Sequence, residues 1–180
     1  MKFKYLFIIP ILFGVTSCEF IGMPLTSDPW ELISTARVRM EQFNRPLGAR
    51  YVLNEAVRQA EKRNDQLALA TAYNELGRTY VRQEGDTKTA EQYYLRSKEI
   101  NEKNGFRQGL LENYFNLANV YQIKQEPQKA CANLSEFKRI FDELERHPAP
   151  PPKGAAEKDM EWMKGLFNPF SASMSCGLSV

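Results

Sequence analysis

The sequence predicts an all-α chain, built as an antiparallel helix-pair solenoid and closed by a C-terminal capping helix. Three observations carry this. From residue 29 to 145 the apolar residues recur at helical spacing, and no stretch alternates as a strand would. Gly, Pro, Asp or Asn breaks the helical stretches at intervals. The stretches also repeat. Tyr73, Leu76, Gly77 and Tyr80 return 41 residues later as Tyr114, Leu117, Ala118 and Tyr121. On the partner helices, Ala90, Tyr94 and Ser97 return as Ala130, Leu134 and Phe137, and Ala49, Leu53 and Ala56 precede them by 41. Gly77 and Ala118 are small on their stripe and let a second helix approach closely. Such a pair cannot bury its stripe alone, so neighbouring pairs must stack.

Residues 1–17 read as an export leader. Lys2 and Lys4 give a positive start, and Tyr5 to Val15 is an apolar stretch interrupted only by Pro10. A membrane-spanning helix needs about 20 apolar residues, so this stretch is too short. It ends in Val15-Thr16-Ser17-Cys18, which resembles the bacterial lipobox. That resemblance implies cleavage before Cys18, acylation of Cys18, and two or more acyl chains holding the domain on a bilayer. Glu19 follows, rather than the Asp associated with retention in the inner membrane, which points to the outer membrane facing the periplasm. Residues 18–28 form the tether.

Asp28-Pro29-Trp30-Glu31 is a helix start, with Asp28 as cap, Pro29 in the first turn and Glu31 placed to reach back to the cap N–H. The breaks then divide the chain into helices over 29–43, 47–63, 66–83, 87–104, 107–124, 127–145 and 155–167. The repeat domain is 29–145, and 146–180 holds a Pro-rich linker, a short helix and a tail.

With these residues in place, the chain resembles the tetratricopeptide repeat (TPR) family. That pattern sets an aromatic, a Leu, a small residue and a Tyr on the first helix, then Ala, an aromatic or Leu, and a small residue on the second. The second repeat matches with Tyr73, Leu76, Gly77, Tyr80, Ala90, Tyr94 and Ser97. The third matches with Tyr114, Leu117, Ala118, Tyr121, Ala130 and Leu134, but Phe137 is large where a small residue is usual. The first is degenerate, with Trp30, Ile33, Ala36, Met40, Ala49, Leu53 and Ala56, and Arg37 where a small residue belongs. The resemblance implies about three repeats, with the first helix of each pair lining a concave groove. Thr71, Asn74, Arg78 and Val81 of the second repeat, and Glu112, Phe115, Asn119 and Gln122 of the third, would face it, with Asn116 flanking. Asn side chains there can grip a peptide backbone, Phe115 can take an apolar side chain, and Arg78 can pair with a carboxylate. The family's carboxylate clamp is not expected, because Asn74 and Phe115 stand where it needs Lys.

Beyond the repeats, Pro148, Pro150, Pro151 and Pro152 break the helix. Met160, Met163 and Phe167 then share a helical face, with Trp162 and Leu166 close by. This segment either caps the last repeat or meets a partner or the bilayer. Residues 168–180 are small and Ser-rich and are expected to be poorly ordered. Cys131 and Cys176 would enter an oxidising compartment. Cys131 is a small buried apolar residue, an exposed thiol, or one half of a Cys131–Cys176 bridge stapling the tail to the last repeat.

Charge and motif content exclude several classes. Lys and Arg number 24 against 22 Asp and Glu, and the excess lies in Lys2 and Lys4. The mature chain is therefore neutral, against a nucleic-acid or polybasic membrane-surface binder. With a single His (His147), no CxxC and no Gly-rich phosphate loop, no metal, cofactor, small-molecule substrate or catalytic set is expected. The glutamates read as solvated helix faces. The function expected is a non-enzymatic, membrane-anchored periplasmic scaffold for periplasmic or outer-membrane proteins. The alternative is an assembly factor similar to the pilotin lipoproteins of type IV pilus and secretion systems.

Overall fold

The computed structural model describes residues 26–148 and 160–177. The expected leader, Cys18 and most of the expected tether lie outside the described residues, as do Pro150 to Pro152 and residues 155–159 of the last expected helix. Seven helices follow in order: α1 Pro29–Glu41, α2 Pro46–Arg63, α3 Gln66–Glu84, α4 Thr87–Asn104, α5 Arg107–Ile123, α6 Pro127–Arg146 and α7 Met160–Ser173. The first six start and end within two residues of the sequence reading. Each packs on its neighbour in the chain, and α1 with α3 and α3 with α5 also touch. The result is a two-layer solenoid, with α1, α3 and α5 in one layer and α2, α4 and α6 in the other. Among the described residues there is no strand, and no helix is long and apolar enough to cross a membrane.

The helix ends follow from local chemistry. Asp28 caps α1 by accepting from the Trp30 N–H, at 3.3 Å. Its own N–H donates to Thr26 Oγ1 rather than to Glu31, because the preceding Thr hydroxyl is nearer at hand, 3.0 Å away. Asp65 accepts from Ala68 N–H at 2.9 Å to cap α3, and Asp86 accepts from Thr89 N–H at 3.0 Å to cap α4. The second Asp65 oxygen accepts from Trp30 Nε1, tying the start of α1 to the start of α3. Asn64, Gly85 and Gly105 end α2, α3 and α4 in the left-handed region, where Asn and Gly meet the least steric penalty.

The core has three parts. Leu32, Ile33, Met40, Val52, Leu53 and Leu76 knit the first two pairs together. Ala90, Tyr94, Leu117, Val120, Tyr121 and Ala130 join the second pair to the third. Leu111, Leu134, Phe137, Phe141, Met163 and Phe167 bind the third pair to α7. Gly77 sits flat against the buried Tyr94 ring, and a Cβ there would lie 2.6 Å from Tyr94 Cε1. Gly165, on the exposed face of α7, has nothing within 4 Å. The two glycines predict opposite results. Gly165→Ala should raise stability by up to about 1 kcal/mol through helix propensity. Gly77→Ala should lower it despite the same propensity gain, since overpacking costs about 1–3 kcal/mol. Thermal melts of the two variants check this pair.

A polar joint crosses the second core. Ser97 Oγ donates to Ala70 O at 2.7 Å, and Asn113 donates to Ser97 Oγ at 2.9 Å and to Asn74 Oδ1 at 3.1 Å. Asn101 donates to Asn113 Oδ1 at 2.6 Å and occupies the space where Gly109 lacks a side chain. Ser97, Asn101 and Asn113 are all at least 98% buried, so the partners are needed to offset desolvation.

Two corrections concern the C-terminal part. The last helix extends to Ser173, past the expected end at 167. Phe167, Phe170 and Met174 pack on the third core, which orders residues expected to be loose. Phe137 is large where the repeat pattern is small because the next element is α7, presenting Phe167, and not a further close-packed repeat. The two rings stack at 4.6 Å. Cys131 and Cys176 are joined by a disulfide that ties the end of the α7 segment to α6.

Acid should loosen the solenoid at its surface carboxylates. Hydrogen bonds from Gln59 hold the Glu55 carboxyl below its ordinary value, as does the Thr89 N–H for Asp86. Burial pushes Glu91 up, but Lys124 and Tyr121 outweigh it and leave Glu91 lowered. Burial, and after it the contact with Glu91, push Tyr121 up to about 12. A carboxyl lowered in the folded state stabilises above its unfolded pKa, and that stability is lost as pH falls through the folded value. Melting temperature should therefore be flat between about pH 5 and pH 9, fall toward pH 3, and fall again above about pH 10 as the raised Tyr121 must ionise on unfolding.

Candidate functional site

Helices α1, α3, α5, α6 and α7 line a half-open cavity of about 410 Å³. Its apolar half is Leu111 and Phe115 of α5, Phe137 of α6, and Met163 and Leu166 of α7. Its polar half is Arg37 and Glu41 of α1, Arg78 of α3, and Glu112 and Asn116 of α5. The volume falls in the range of pockets that take a small ligand or a few side chains.

One buried carboxylate organises the polar half. Glu75 is 1% exposed. Its Oε1 accepts from Arg37 Nε at 2.8 Å, and its Oε2 from Arg78 Nη1 at 2.8 Å. Arg78 also reaches Glu41 Oε1 at 3.4 Å. The Glu75 charge raises the Arg78 guanidinium above its ordinary value, against the opposing effect of burial. This corrects the reading of the glutamates as solvated: Glu75 lies on the face of α3 that carries Ala68, Ala72 and Thr79, turned into the core. It also explains Arg37. A large cation stands at that point of the first repeat because a buried carboxylate on α3 receives it.

Of the groove residues expected from sequence, the structure gathers Arg78, Glu112, Phe115 and Asn116 around the cavity. Arg78 is held by Glu75 and Glu41 and shapes the wall. Asn74 does not line the cavity. It is 3% exposed, donates to Glu112 Oε2 at 3.1 Å, and accepts from Asn113 and from Asn116 Nδ2, the latter at 3.0 Å. Packing of α3 on α5 turns it into the polar joint, where it positions Glu112 and Asn116. Asn119 is half-buried and Gln122 exposed, and neither lines the cavity, since both lie further along α5. Sequence reasoning missed Arg37, Glu41, Leu111, Phe137, Met163, Leu166 and Glu75. A signal existed for one of them: Arg37 is a cation where the repeat pattern expects a small residue. Cys18 lies outside the described residues. Among the described residues no group of three or more His, Cys, Asp or Glu side chains is placed to hold a metal ion.

Fold and cavity define a helical-repeat protein of the kind that presents a concave surface to other proteins. Residues 70–104, which span most of α3 and all of α4, match the tetratricopeptide repeat family model. Such repeats generally mediate protein–protein interaction. No curated protein matches the chain.

Proposed function

We propose that this chain is a lipid-anchored adaptor of the bacterial envelope. Cys18 carries the lipid, the solenoid faces the periplasm from the outer membrane, and the cavity receives a segment of a periplasmic or outer-membrane protein. The observation that supports docking is the cavity itself. An apolar side chain fits between Phe115 and the α7 wall of Met163 and Leu166. The Glu112 carboxylate and Asn116 amide border the same space and can bond to a peptide backbone. Arg37 and Arg78 are committed to Glu75, so they fix the shape of the site and leave selection to the apolar half. The anchor supplies local concentration: a partner held at the same surface meets the cavity at a high effective concentration.

The test is purification of the protein from crosslinked, detergent-solubilised envelopes, beside Cys18→Ala and Phe115→Ala forms. Mass spectrometry of the N-terminal peptide should show an acylated Cys18. The partners recovered should fall away in Phe115→Ala and weaken in Cys18→Ala. Identical partners at identical yield from Cys18→Ala would make the local-concentration mechanism wrong. Loss of secretin multimers on deletion would favour the assembly-factor role.

A further inference from the structure

We propose that α7 is a resident stand-in for a partner helix, and that the Cys131–Cys176 disulfide locks it in place. The inference rests on the reading of the cavity as a docking site and names both what docks and what regulates it. Met163, Phe167, Phe170 and Met174 recur at helical spacing and form one stripe. That stripe lies on Phe115, Phe137 and Phe141 of α5 and α6, with Phe167 stacked on Phe137 at 4.6 Å and Phe170 against Phe115 at 5.3 Å. The acceptor face therefore selects an amphipathic helix with large apolar residues at that spacing. α7 shows what it takes.

The resident helix depends on its surroundings. A 14-residue helix is marginal alone, and Pro169 removes one of its backbone donors. At its far end the disulfide fastens Cys176 to Cys131, close to the start of α6. Both cysteines are half-buried, within reach of a small dithiol. Met163 and Leu166 are also walls of the cavity, so freeing α7 widens the site from one that takes a single apolar side chain to one that takes a whole helix.

The controlling step is thiol–disulfide exchange with a dithiol reductant. One reductant thiolate attacks a sulfur of the bridge, the S–S bond breaks, and a mixed disulfide forms. The second reductant thiol resolves it. Cys131 and Cys176 leave as two thiols, and the reductant leaves as its disulfide, two electrons having passed to the protein.

Hydrogen exchange on the wild-type protein with and without dithiothreitol reads the lock. Reduction should lower protection over residues 163–173 at least tenfold and leave α3 to α5 unchanged. The acceptor face is read with a fluorescent peptide of residues 160–177 carrying Cys176→Ser. It should bind a Cys176→Ser/Phe167→Ala chain, whose resident helix is weakened and whose face is intact, and should not bind oxidised wild type. Adding Phe137→Ala to that chain should abolish binding. If the double variant loses helix content overall, reduced wild type serves as the receptor. Unchanged α7 protection on reduction overturns the lock. Peptide binding to oxidised wild type equal to that of the unlocked chain, or absent from both, overturns the stand-in. Peptide capture without recovery of any envelope partner would uphold this inference while sinking the docking role in the envelope.

Discussion

Phe137→Ala should lower the unfolding free energy by about 3–5 kcal/mol, the usual cost of truncating a buried Phe. Phe137 is 2% exposed and meets three other rings: Phe115, Phe141 and Phe167. No small side chain can fill that space, because α7 is held off by the size of Phe167 and fixed at its end by the disulfide. The loss should appear as a drop of roughly 10 °C or more in melting temperature for a chain of this size. It should also undock α7, seen as faster amide exchange there. A change under about 1 kcal/mol would mean that the third core does not depend on the aromatic stack.

Glu75→Ala should cost about 2–4 kcal/mol. Removing one partner from a buried ion pair typically costs about 3–5 kcal/mol, because the remaining charge is left buried. Here the figure is discounted, since the Arg37 and Arg78 side chains keep 25% and 32% exposure and regain some water. Glu75→Met with Arg37→Met should recover part of the loss, because one of the two guanidiniums left uncompensated goes with it, while Arg78 keeps Glu41. Denaturant melts of the single and double variants separate these outcomes. If the double variant is no more stable than Glu75→Ala, packing and not charge governs the site.

The solenoid was legible because its signals are local. Caps such as Asp28 and Asp86, breaks such as Asn64 and Gly105, and the small Gly77 each act on their own helix or its neighbour, and the 41-residue period repeats them. The cavity was only half legible. Arg78, Phe115 and Asn116 follow from repeat position, but Asn74 points into the joint with Asn113, which depends on how α3 packs on α5. Glu75 was misread for the same reason. A carboxylate becomes tolerable in a core only when two guanidiniums arrive from elsewhere, and Arg37 comes from a helix 38 residues earlier in the chain. The α7 wall was legible as far as Met163 and Phe167, but the Pro inside the helix and the Ser-rich end hid its continuation to Phe170 and Met174.

The measurement that most directly tests the adaptor role is photocrosslinking in intact cells from a crosslinking amino acid placed at Asn116, beside the cavity, or at Asn54, exposed on the outer-layer helix α2. The Asn116 position should capture a discrete envelope protein, the Asn54 position should not, and Phe115→Ala should abolish the product. Equal capture from both positions, or capture at Asn116 that Phe115→Ala leaves unchanged, would contradict a role for the concave cavity in partner binding.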